Sequence, residues 1–112
     1  MNVYEQAHGL AAAIKASEEF RQFDELRKRV EANPDLNGMI KDYERKQMEF
    51  QAKQMTGEMS AENMQQQMSD LYAVVMKDPL AAQYLQAQMR FSVMMADVYK
   101  ILGDAMGIGN PF

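Results

Sequence analysis

The sequence predicts an all-α protein: an antiparallel helical bundle of about five helices with a long protruding helical hairpin. Three observations lead there. Apolar residues recur at three- and four-residue intervals through almost every segment. The segments meet at Asn33-Pro34 and Asp78-Pro79 or at single serines, leaving almost no loop. Gly57 interrupts the longest helical stretch at a point where a left-handed turn residue can reverse the chain.

Taken in order, helices are expected over residues 2–15, 17–32, 34–56, 61–77 and 79–102, with a flexible tail over 103–112, all within one domain. Asn2 can cap the first helix, whose stripe is Val3, Ala7, Leu10 and Ile14; His8 falls off it and reads as solvated. Ser17 can cap the second, and Glu18 and Glu19 suit the positive end of its dipole. Phe20, Phe23, Leu26 and Val30 give it an apolar side. Its basic triplet Arg27, Lys28 and Arg29 is interleaved with Asp24, Glu25 and Glu31, the pattern of a solvated face.

Proline disfavours a helical conformation in the residue before it yet suits a first helical position, so Asn33-Pro34 ends one helix and starts the next. The third helix has a narrow stripe of Leu36, Ile40, Tyr43 and Phe50, into which Gln47 and Gln54 also fall. At 1.5 Å per residue it spans roughly 34 Å. A compact domain of this length has a radius of gyration near ~13 Å, so the hairpin is expected to protrude. Ser60 can cap the fourth helix, where Met64, Met68, Leu71 and Val75 share one face. The fifth carries Leu80, Tyr84, Ala87, Phe91, Met94, Val98 and Ile101 in sustained helical period.

Composition narrows the function. The 112 residues carry 16 acidic and 12 basic side chains, a net charge of -4, opposite in sign to a nucleic-acid-binding face. The absence of cysteine removes thiolate metal sites, disulfides and cysteine nucleophiles, and one histidine builds no metal cluster. The longest apolar runs, such as Ala73-Val74-Val75-Met76, are too short to cross a bilayer, and the first residues show no secretory pattern, so a cytoplasmic location is expected. The acids lie on polar faces, Ser17 and Ser60 read as caps, and no glycine-rich phosphate loop follows a strand. No catalytic, cofactor-binding or metal-binding residue is assigned, and no cofactor is expected.

What remains is association. There are 12 methionines, an adaptable and polarisable side chain, and no tryptophan. Tyr43, Met48, Phe50, Met55, Met59, Met64 and Met68 form the candidate interface along the hairpin. The expected partner is a second copy, as a homodimer or higher oligomer, or another protein; neither a membrane nor nucleic acid is expected. A chaperone-like use of a methionine-rich groove is the alternative, with RNA binding through Arg27, Lys28, Arg29, Lys41, Arg45, Lys46 and Lys53 behind it.

The stretch FQAKQMTGEMSAENM, residues 50–64, resembles the hairpin signature of the YlbF/YmcA superfamily, in particular its YheA-like branch. The opening VYEQAHGLAAAIKASEEF and the late LQAQMRFSVMMADVYKIL resemble that branch's first and last helices. The resemblance implies a cytoplasmic bacterial protein that is all-helical and associates through its helices. It also implies a regulatory role, since better-known members help control competence, sporulation and biofilm formation through a complex that influences RNA processing. Members of that complex are associated with iron–sulfur clusters, which need thiolates. This chain has none, so cluster binding does not carry over.

Overall fold

A computed structural model describes residues 2–107. Among these the protein is all-α, with five helices: α1 (Val3–Ala16), α2 (Glu18–Glu31), α3 (Pro34–Met55), α4 (Ala61–Val75) and α5 (Pro79–Met106).

Each start has a local cause. The Asn2 side chain accepts from Tyr4 N at 2.7 Å, and Ser17 Oγ accepts from Phe20 N at 3.2 Å while donating to Ile14 O at 2.6 Å. The one hydroxyl therefore closes α1 and opens α2. Asn33 Oδ1 accepts from Leu36 N at 3.2 Å. Asp78 Oδ1 accepts from Leu80 N and Ala81 N at 2.9 and 3.2 Å. Both Asx-Pro junctions thus work in the same way: the acceptor caps the amides and the proline occupies a position whose N–H would be unpaired anyway.

α3 ends in a Schellman arrangement. Glu58 N donates to Lys53 O at 2.9 Å and Gly57 N to Gln54 O at 3.2 Å, with Gly57 at φ 81. Three residues later Ser60 Oγ accepts from Asn63 N at 3.1 Å and α4 begins. With so short a connection α3 and α4 pack against one another as an antiparallel hairpin.

α5 runs beyond the expected end at Leu102, through Gly103 to Met106. The stop lies at Gly107, which takes φ 70 and donates to Asp104 O at 3.2 Å. A mid-helix glycine costs about 1 kcal/mol against alanine and does not break a helix unless its backbone turns left-handed. Residues 103–106 of the expected flexible tail are therefore helical, and 108–112 lie outside the described residues.

The chain resolves into two compact units. One takes the residues up to Arg27 and those from Leu85 onward; the other is Lys28–Tyr84. In the first, Phe91 of α5 stacks on Phe23 at 5.3 Å between ring centroids and meets Phe20 at 5.5 Å, both from α2. The α1 helix of this unit buries no residue fully: Val3, Ala7 and Leu10 of its stripe are exposed and Ile14 is half-buried. The second unit buries Val30, Leu36, Ile40, Val75, Ala81 and Tyr84, drawn from four helices.

Two substitutions test these causes by thermal or urea unfolding. Ile40→Ala, which empties a buried site, is expected to cost about 3 kcal/mol. Gly57→Ala meets nothing within 4 Å and is expected to cost about 1 kcal/mol through the left-handed backbone alone.

Candidate interaction surface on the helical hairpin

Burial on the hairpin is confined to its base. Leu36 and Ile40 are buried on α3 and Val75 on α4, and neither helix buries a side chain nearer the turn. Along the remaining length a groove of about 550 Å³ opens between them. Tyr43, Gln47 and Gln51 line it from α3, and Ala61, Met64, Gln65, Met68, Ser69 and Tyr72 from α4. Tyr43, Gln47 and Gln51 are four residues apart in succession, and Ala61, Gln65, Met68 and Tyr72 are four, three and four apart. Each set therefore occupies one helical face.

No charged residue lines this groove. Its surface combines aromatic rings, methionines and amides, so an incoming helix would meet apolar surface and hydrogen-bonding groups without displacing an ion pair. A larger groove of about 750 Å³ lies between α2 and α5 in the other unit, but Glu18, Glu19, Arg90 and Asp97 line it, and Arg90 donates across it to Gln22 at 3.5 Å. That groove is already spanned by polar contacts of the chain itself.

The Tyr43 phenol is half-buried. Burial raises its pKa above the ordinary value of 10.0, and the neighbouring Tyr72 phenol adds to the rise. Tyr43 therefore stays neutral and available as a hydrogen-bond donor well into the alkaline range. On the outer side of α3, Asp42 pairs with Arg45 and with Lys46 at 3.2 Å, and the Lys46 contact leads in holding its carboxyl below the usual range. Lys53 pairs with Glu49 at 3.4 Å. On α2, Arg27 pairs with Asp24 and lies over the Phe23 ring at 5.9 Å. Arg27, Arg45, Lys46 and Lys53, all among the cations considered for RNA binding, are thus engaged by this chain's own carboxylates.

The seven residues chosen from the sequence fall into three groups. Tyr43, Met64 and Met68 line the groove. Met48 and Met55 stand apart from it, 71% and 88% exposed. Phe50 and Met59 are half-buried outside the lining. Sequence reasoning passed over Gln51, Gln65, Ser69 and Tyr72. Gln65 and Ser69 line the groove while staying exposed to solvent. Their spacing with Met68 and Tyr72 was the available signal.

The family described as "Control of competence regulator ComK, YlbF/YmcA" matches residues 3–107. The chain belongs to the YlbF/YmcA family. Among its relatives, a UPF0342 protein of Symbiobacterium thermophilum is 34% identical over 110 residues, covering 98% of each chain. One from Desulfitobacterium hafniense is 37% identical over 106 residues, 95% of this chain and 86% of its own. One from Caldicellulosiruptor bescii is 33% identical over 105 residues, 94% and 88%. The match includes the whole hairpin, as its resemblance to the YlbF/YmcA signature implied. An iron–sulfur cluster does not fit this member: the chain has no cysteine, and among the described residues no three His, Asp or Glu side chains converge to hold a metal. Nor, among those residues, is any helix long and apolar enough to cross a membrane.

The raised Tyr43 pKa fixes the sign of a pH effect. Proton binding is tighter in the folded state, so this group's contribution to stability is complete below pH ~10 and is lost as pH rises from there through the folded value. In an absorbance titration Tyr43 is expected to ionise above the ordinary tyrosine value, and Tyr43→Phe is expected to remove one tyrosine's worth of amplitude from the late part of the curve.

Proposed function

We propose that this protein is a non-enzymatic, homo-oligomeric helical interaction protein of the cytoplasm, acting as a regulatory adaptor. The supporting observation is the uncharged groove of Tyr43, Met64, Met68 and Tyr72, left open along a hairpin whose burial stops at Ile40 and Val75. Tyr43, Met64 and Met68 are half-buried and Tyr72 is exposed, so each keeps apolar surface for a partner helix to cover, and each apolar Å² removed from water contributes about 25 cal/mol. A second copy supplies such helices in the same chain.

The family description supports the regulatory part, because it names control of another regulator and no reaction. An adaptor works by presenting surface, and a methionine-lined groove accepts more than one helix geometry. On this reading the oligomer is the working form and the groove its contact. Client holding by the same methionines is the competing use, and it requires the groove to be open in the resting protein rather than covered by a second copy.

Sedimentation velocity tests the reading. Met64→Glu and Met68→Glu place a charge in the covered groove and are expected to weaken association by about a hundredfold, some 2.7 kcal/mol. Met48→Glu, at an exposed site outside the lining, is expected to leave association unchanged. A wild-type protein that stays monomeric at micromolar concentration overturns the reading.

A further inference from the structure

The α1 helix presents a second unpartnered face, and its own sequence says what covers it. A helix of 14 residues is marginal in water unless packing supports it, yet α1 buries no residue fully, with Val3 81%, Tyr4 77% and Leu10 38% exposed. We propose that α1 pairs with α1 of a second copy, antiparallel, about a two-fold axis between His8 and Gly9.

Two properties of α1 select this occupant, and a third sets its limit. The first is spacing: Val3, Ala7, Leu10 and Ile14 are separated by four, three and four residues, which reads the same in both directions. A two-fold axis through the middle therefore sets Val3 opposite Ile14 of the other copy, two β-branched side chains, and Ala7 opposite Leu10, small against large in the way that facing helices interdigitate. Tyr4 then shares a flank with Ala11 of the other copy, and Gln6 with Ala13, again a large side chain beside a small one. A parallel pair in register would instead set Leu10 against Leu10, an ordinary packing layer, but Ala7 against Ala7, leaving a gap.

The second property is charge. The whole chain carries -4, so two copies repel unless the surfaces that meet are neutral. α1 holds only Glu5 and Lys15, a balanced pair, and both lie off the apolar stripe. Pairing buries no ion, and the antiparallel arrangement sets the positive end of each helix dipole beside the negative end of the other.

The third is area. A helix of this length is about 21 Å long and about 10 Å wide, so pairing removes on the order of 400 Å² per copy from water. A standard interface covers roughly 800 Å² per partner. The α1 pair is therefore a contact that adds to another interface and does not sustain a dimer alone. In this respect the inference rests on the oligomer proposed for the hairpin groove.

Because the chain has no cysteine, disulfide trapping reads the pairing directly. Ala7→Cys and Leu10→Cys proteins are each folded, checked by circular dichroism, then oxidised mildly alone and as a mixture. Opposed positions 7 and 10 come within disulfide reach, whereas like positions are offset by about 4.5 Å along the axis. The mixed disulfide is expected to form about tenfold faster than either like pair. Equal rates, or no cross-link at a concentration where wild-type protein sediments as an oligomer, overturn the α1 pairing and leave the hairpin reading standing. Adding Met64→Glu to both cysteine variants is expected to slow the mixed cross-link, since α1 alone buries too little. An undiminished rate there overturns the dependence on the hairpin contact.

Discussion

The hairpin depends on where burial stops. Ile40 and Val75 are buried at its base, and toward the turn neither α3 nor α4 buries another side chain. The outer length is held by the turn hydrogen bonds at Lys53 and Gln54, the Ser60 cap and half-buried contacts such as Tyr43 and Met68. Local bonds of this kind fix direction, while a helix pair draws most of its stability from covered apolar area. Two helices kept in register but left with an uncovered seam form a surface suited to a third helix.

Much of this was legible in the sequence, for physical reasons that differ by element. Helix starts were readable at Ser17, Asn33-Pro34, Ser60 and Asp78-Pro79 because capping is local: acceptor and amide lie within three residues. The end of α5 was not, because Gly103 and Gly107 are the same residue type and only the backbone angle separates a tolerated glycine from a stop. The α1 stripe was visible as a period, but a period shows that a face exists and not what covers it.

The groove shows the same limit. Tyr43, Met64 and Met68 stood out because an apolar stripe beyond Ile40 had no obvious core to enter. Gln51, Gln65 and Ser69 did not, because a polar residue on a helix is ordinarily solvated. They are solvated here too, and only the pairing of α3 with α4, a tertiary property, sets them beside Met64 and Met68 along one open groove. In this cysteine-free member of the YlbF/YmcA family the groove is built of helix faces, amides and adaptable side chains. The engaged cations point the same way, since Arg45, Lys46 and Lys53 answer carboxylates of their own helix.

The central claim is that the groove between α3 and α4 is covered by a second copy. Amide hydrogen exchange measured across a range of protein concentrations addresses it most directly, because protection gained on association reports on the covered segment itself. Protection over residues 61–72 is expected to rise with concentration while that of α2 stays constant. Protection of 61–72 that does not change with concentration, in a protein that nonetheless associates, would contradict the account.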